Sequence, residues 1–181
     1  MNYHMIRTDD MLNGDGLRVV LFVSGCNNHC IGCHNPETWD EESGMKFDDE
    51  ALLRIRNELD NDYISGITLS GGDPLFYENL ADVLEVVSCI KYRYSNKTIW
   101  LYTGMTWNQI FEPVTLTTQS ERMQNIISIR KKIVSMCDVL VDGKFIEELA
   151  DVNYPWAGSS NQKVIDVQET LKQNKIVLYD K

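Results

Sequence analysis

Three cysteines stand together in Gly25-Cys26-Asn27-Asn28-His29-Cys30-Ile31-Gly32-Cys33-His34, directly after the apolar run Val19-Val20-Leu21-Phe22-Val23. The spacing is C-x3-C-x2-C. It offers three thiolates from one loop, and thiolates are the soft ligands that select iron–sulfur clusters and zinc. An iron–sulfur cube held by four cysteines is coordinatively full and serves to pass electrons. A cube held by three leaves one iron open to a ligand on which it can act. Other uses of these residues stand beside that one. A zinc site would add His29 or His34 to Cys26, Cys30 and Cys33. Zinc knuckles usually draw on two separated pairs, however, and no second pair is visible. Covalent haem attachment would use Cys30-Ile31-Gly32-Cys33-His34, a C-x-x-C-H run, and would leave Cys26 idle. Ordinary packing accounts poorly for a cluster of cysteines set beside glycines.

The second chemical feature is Gly71-Gly72-Asp73-Pro74, which follows the apolar strand-like run Gly66-Ile67-Thr68-Leu69-Ser70. Alone it describes a tight turn with an Asx bond. Beside a cysteine loop it has a further reading. Adjacent glycines let backbone approach a ligand closely, and Asp73 is an anionic acceptor for an ammonium group. His34 is a ligand, a packing residue or a proton handler. Asn13-Gly14-Asp15-Gly16 has G-x-G character but lacks the third glycine and preceding strand of a dinucleotide fingerprint, so it reads as a turn. Cys89 and Cys137 sit in apolar surroundings and read as core thiols.

Apolar runs alternate with amphipathic stretches along the chain, as in βα units around a mostly parallel sheet. Strands are expected over Arg18 to Ser24, Gly66 to Ser70, Thr98 to Thr103, Asp138 to Val141, Lys163 to Asp166 and Ile176 to Leu178. Helices are expected from Asp48, acting as a cap, to Leu59, from Asn79 to Tyr92, from Glu121 to Met136, and briefly before Ile176. The segment from Phe111 to Ser120 reads as irregular. In such architectures the site lies where strands hand over to the following loops. The cysteine loop and the Gly-Gly-Asp-Pro loop should therefore face one crevice.

The 181 residues fit a single domain spanning 1–181. No apolar run is long enough to span a membrane. The polar start Met1-Asn2-Tyr3-His4 does not read as a signal peptide, so a cytoplasmic location with reduced cysteines is expected. The formal net charge of -10 argues against a nucleic-acid partner.

C-x3-C-x2-C after one strand and Gly-Gly-Asp-Pro after the next resemble the motifs of the radical S-adenosylmethionine enzymes. Further blocks narrow the resemblance: Leu21-Phe22-Val23-Ser24-Gly25-Cys26, Cys33-His34-Asn35-Pro36-Glu37-Thr38-Trp39, Leu140-Val141-Asp142-Gly143-Lys144-Phe145 and Gly158-Ser159-Ser160-Asn161-Gln162. Together with Asn13 to Gly16 they are similar to the glycyl-radical activases that serve anaerobic ribonucleoside-triphosphate reductase. His34 departs from the tyrosine common there and is similar to activators of pyruvate formate-lyase type. Asp15 stands where proline is common, and the stretch 112–132 is longer than in compact members.

The resemblance implies an open, partial (βα) barrel of five or six mostly parallel strands, the radical S-adenosylmethionine core. It implies a 4Fe-4S cluster on Cys26, Cys30 and Cys33. It implies that S-adenosyl-L-methionine lies against Gly32, Cys33, His34, Gly71, Gly72 and Asp73. An external one-electron reductant, such as flavodoxin or ferredoxin, would supply the electron. The protein substrate would be anaerobic ribonucleoside-triphosphate reductase, and an enzyme of oxidoreductase type follows. Three other functions use the same residues: an activase for a formate-lyase-type partner, a radical enzyme for a small molecule, and a non-catalytic iron–sulfur or zinc module.

Overall fold

The computed structural model describes residues 1–112 and 120–180. The expected irregular segment 111–120 falls largely outside them. The described residues form seven strands: β1 (Asn2–Asp10), β2 (Arg18–Val23), β3 (Met45–Lys46), β4 (Gly66–Gly71), β5 (Thr98–Tyr102), β6 (Val139–Asp142) and β7 (Lys163–Asp166). The helices are α1 (Asp49–Leu59), α2 (Leu80–Arg93), α3 (Trp107–Phe111), α4 (Glu121–Met136) and α5 (Val167–Gln173). The strands form one seven-stranded sheet in the order β3-β1-β2-β4-β5-β6-β7. The order ends at β3 and β7 without closing.

The fold class is α/β as expected, with two corrections. Only the middle of the sheet, β2-β4-β5-β6, is parallel. The flanks are antiparallel: β1 with both β2 and β3, and β6 with β7. The sheet is therefore mixed and has seven strands rather than five or six. The uncounted β1 carries a weak signal because its register shifts twice against β2, and the shifts break the alternation of buried residues. Conversely, Ile176 to Leu178 forms no strand. Leu178 makes one isolated bridge to Ile165 and is more than half exposed.

Side-chain alternation divides the sheet into two unlike faces. Val19, Leu21, Ile67, Leu69, Ile99, Leu101 and Leu140 point to one face and pack on all five helices. Asp48 caps α1 by accepting from the Ala51 N–H at 3.0 Å. Asp166 caps α5 in the same way, through the Glu169 N–H at 2.9 Å. Cys137 is fully buried in this layer, as expected, while Cys89 is half-buried.

Among the described residues the other face carries no helix. Trp100, Val139, Val141 and Val164 lie there under Tyr102, Trp156, Ala157 and Tyr179. Arg18 is fully buried on this side, 5.3 Å above the Trp100 ring. Burial lowers its guanidinium pKa to about 10, so it stays charged at neutral pH. Its N–H groups are taken by Thr68 Oγ1, the Asp15 carbonyl, Thr98 Oγ1, and the Ile67 and Thr98 carbonyls. Arg18 therefore pins the 11–17 loop to the underside of the sheet. Replacing Arg18 by Met keeps the volume but strips these acceptors of their donors. A loss of about 3 kcal/mol in unfolding free energy is expected in urea titrations.

Candidate active site

The parallel strands β2, β4, β5 and β6 all end on one side, and each is followed by a loop that enters one cleft. The first loop contributes Cys26, Asn28, Cys30, Cys33 and His34. The second contributes Gly71 and Gly72, the third Thr103 and Gly104, and the fourth Gly143, Lys144, Phe145, Gly158 and Gln162. Asn13 adds to the wall from the opposite loop. The expectation that the cysteine and Gly-Gly-Asp-Pro loops face one crevice is met.

Backbone hydrogen bonds weld these two loops together. Gly72 N–H donates to the Val23 carbonyl at 2.7 Å, and Asp73 N–H donates to the Gly25 carbonyl at 2.8 Å. The Asn79 amide, at the start of α2, donates to the carbonyls of Ser24 and Asp73 at 2.7 and 3.1 Å. Farther along the cysteine loop, Gly25 and Cys26 N–H groups donate to the Thr38 and Trp39 carbonyls. The glycine pair is explained first by this contact. A Cβ on Gly72 would stand 2.6 Å from the Gly25 carbonyl oxygen. Gly71 has φ +95°, and its Cβ would stand 2.8 Å from the backbone of Phe22 and Val23.

Asp73 lies behind the cleft wall and is 5 % exposed. Its Oδ1 accepts from the Leu75 N–H and the Thr103 hydroxyl at 2.9 and 2.8 Å. Its Oδ2 accepts from the Asn28 amide and the Gly104 N–H, both at 3.2 Å. Burial pushes its pKa up, and the bonds from Leu75, Thr103 and Gly104 oppose the rise. Asp73 thus joins the first three loops, and its carboxylate is committed to protein donors. Gly32 also stands off the wall. It takes φ +69° in a turn closed by Cys33 N–H on the Cys30 carbonyl at 3.1 Å, a position suited to glycine.

The cysteines are free thiols. Cys26 is buried, and that burial raises its pKa. Asn28 and Asn35 direct backbone N–H groups at Cys26 and Cys33 sulfur, each at 3.4 Å. Among the described residues no three His, Cys, Asp or Glu side chains are gathered as a ready single-ion site. His34 lies on the wall with its ring 5.2 Å from Phe145. His29 is turned away from that role: it has φ 43° and stacks on Trp39 at 4.7 Å.

The fourth loop is held by two buried side chains. Gln162 Oε1 accepts from Gly158 and Ser159 N–H groups, while its Nε2 donates to the Gly143 carbonyl at 2.8 Å. Asp142 accepts from Trp107 and Lys163 N–H groups, and burial raises its pKa. The Asp-Gly-Lys-Phe and Gly-Ser-Ser-Asn-Gln blocks are therefore two halves of one clasp. Lys144 is the one lysine or arginine on the cleft wall among the described residues. Sequence reasoning alone misses Asn28, Thr103, Gly104 and Lys144 as site residues. Thr103-Gly104 at a strand end is a readable signal, whereas Asn28 has none beyond its place between cysteines.

Comparison with known proteins gives the family. The model of the 4Fe-4S single cluster domain matches residues 12–165. An anaerobic ribonucleoside-triphosphate reductase-activating protein of Escherichia coli is 39% identical over 166 residues, covering 91% of this chain and 97% of that protein. Proteins of the same name from Vibrio cholerae and Haemophilus influenzae are 39% and 37% identical. They align over 91% and 90% of this chain and 97% and 96% of their own lengths. With a domain model across most of its length and full-length relatives at this identity, the chain belongs to the family of anaerobic ribonucleoside-triphosphate reductase-activating proteins.

Proposed function

We propose that this chain is a radical S-adenosylmethionine activase whose protein substrate is anaerobic ribonucleoside-triphosphate reductase. The observation that carries the reading is the convergence of separate sequence blocks on one cleft, with three free thiols along one side. Cys26, Cys30 and Cys33 would hold a 4Fe-4S cluster; the donor chemistry fits, and two of the sulfurs already receive backbone N–H groups of the kind that stabilise cluster-bound thiolates. When bound, the cluster would supply one-electron chemistry, passing an electron from the external reductant to S-adenosylmethionine so that its S–C5′ bond breaks to methionine and a 5′-deoxyadenosyl radical, which would take hydrogen from a glycine of the reductase.

The chain's own residues bind, orient and shield. Gly71, Gly72 and Thr103-Gly104 line the same cleft as the cysteines and offer backbone that can lie flat against a ligand. Lys144 offers an ammonium to the ligand's carboxylate. His34 and Phe145 form an aromatic wall suited to an adenine ring. Asp73 acts from behind: it fixes the loops and leaves ligand contact to its neighbours. The reductant would be an external one-electron carrier, and the setting cytoplasmic. No helix among the described residues is long and apolar enough to cross a membrane.

The way in for a protein substrate is a groove continuous with the cleft. It shares Asn13, His34, Asn35, Tyr102 and Gly158 with the cleft and runs out past Met11, Leu12 and Val152. Those three side chains are 71, 79 and 101 % exposed. Exposed apolar side chains from separate loops, gathered at one mouth, mark a contact surface. Leu12→Asp is expected to leave unfolding within about 0.5 kcal/mol of the parent. It should weaken binding of the reductase roughly tenfold in titration calorimetry.

The function is tested by mixing anaerobically reconstituted, reduced protein with S-adenosylmethionine and the reductase, then recording electron spin resonance. A glycyl radical doublet on the reductase is expected. Absence of the doublet here, with its appearance on a formate-lyase-type partner, would transfer the assignment to that partner.

A further inference from the structure

The side chain of Asn28 meets the site from an unexpected direction. Its backbone N–H points at Cys26 sulfur at 3.4 Å, and its Nδ2 lies 3.6 Å from the same sulfur. The same Nδ2 donates to Asp73 Oδ2 at 3.2 Å. Both neighbours are acceptors, so the amide must present its NH2 group to them. Gly104 makes room for it. A Cβ there would stand 2.1 Å from Asn28 Nδ2. Gly104 N–H in turn donates to the Asp73 oxygen that Asn28 uses. One amide therefore touches a cysteine of the first loop, the acid of the second and the glycine of the third.

We infer that Asn28 is a positioning residue that tunes the cluster through Cys26 and ties that tuning to the Gly-Gly-Asp-Pro loop. The inference rests on the cluster reading proposed above. An N–H group aimed at a thiolate withdraws charge from it and makes reduction of an attached cluster easier. The amide's second bond, to Asp73, keeps it aimed. Anything that shifts the Gly-Gly-Asp-Pro loop then alters the hydrogen bonding at Cys26. Binding a ligand against Gly71 and Gly72 thus reaches the cysteine side by a path of contacts rather than through the ligand alone.

The test is a redox titration of reconstituted protein, read by electron spin resonance, for the parent, Asn28→Ala and Gly104→Ala. The second variant leaves the cysteine loop's sequence intact and displaces the amide from the far side. Iron and sulfide content and the unfolding midpoint of the metal-free protein are measured alongside. Both variants should keep the parent's iron content. At a fixed potential both should show a reduced-to-oxidised ratio lower by roughly 2- to 10-fold, the range one hydrogen bond supplies. A purely structural role would lower the unfolding midpoint and leave that ratio unchanged. Full cluster content with an unshifted ratio in both variants overturns this inference alone. A parent protein that takes up no cluster overturns the reading of the site and this inference with it.

Discussion

Replacing any one of Cys26, Cys30 and Cys33 by alanine is expected to abolish cluster retention. The three sulfurs come from one loop and share one cleft, and the chain offers no replacement cysteine among the other described residues of that cleft. Cys137 is fully buried on the helical face of the sheet, among the side chains of the other layer. Cys89 belongs to α2 on that same face. A missing corner ligand costs more than an outer-shell change, which already lowers metal affinity by about 10- to 100-fold. Iron and sulfide per chain after anaerobic reconstitution should therefore fall to background in all three variants. Cys89→Ala and Cys137→Ala should retain the parent's content, since neither sulfur faces the cleft. Retention of a full cluster by the Cys26, Cys30 or Cys33 variant would mean that another residue supplies the ligand.

The second large effect is expected at Gly72. A methyl added at this position would meet the carbonyl oxygens of Gly25 and Thr38 at 2.6 and 3.0 Å. Neither is a side-chain tip that can swing aside. Gly72→Ala must therefore part the two loops and break the Gly72-to-Val23 and Asp73-to-Gly25 hydrogen bonds. A cost of about 2 to 4 kcal/mol in unfolding free energy follows from overpacking plus two lost bonds. Gly143 is the informative comparison. It has φ +91°, but the atom nearest a Cβ is 3.9 Å away. Gly143→Ala should cost only the backbone strain, about 1 to 2 kcal/mol. Urea titrations of the two variants separate the explanations. Gly72 itself has no positive φ, so a loss there no larger than at Gly143 would show that loop contact is not why Gly72 is a glycine.

Much of this arrangement is readable in the chain, for identifiable reasons. The central strands are short apolar runs bounded by glycine and aspartate, and their ends fall within a residue or two of expectation. Asp48 is a legible cap because a polar residue precedes an apolar helical repeat. The two chemical loops stand out by residue type. The flanks are less legible. The strand β1 reads as polar because only part of it is buried, and its pairing is irregular. The short helix α3, with its Thr106–Gln109 capping box, is too brief to show a period.

At the site, the residue types are legible and their division of labour is not. Asp73 reads as a ligand acceptor in one dimension. In three dimensions its oxygens face Leu75, Thr103, Asn28 and Gly104, and all but Leu75 are remote from it in sequence. Gly32 reads as a cofactor contact, yet its conformation serves the turn between Cys30 and Cys33. Gln162 reads as part of a family block, and only the fold reveals that it closes the Gly143 loop onto the Gly158 loop. Long-range hydrogen bonds of this kind leave no periodic trace. They depend on which strand ends lie side by side.

The central physical claim is that three thiolates would leave one cluster iron free for the amino and carboxylate groups of S-adenosylmethionine. Its most direct measurement is the yield of 5′-deoxyadenosine and methionine after anaerobic one-electron reduction of the reconstituted protein with S-adenosylmethionine, without any partner. The two products should form in equal amounts in the parent and vanish in Cys30→Ala. A protein that carries a fully reducible cluster yet releases neither product, or that takes up only zinc, would contradict it.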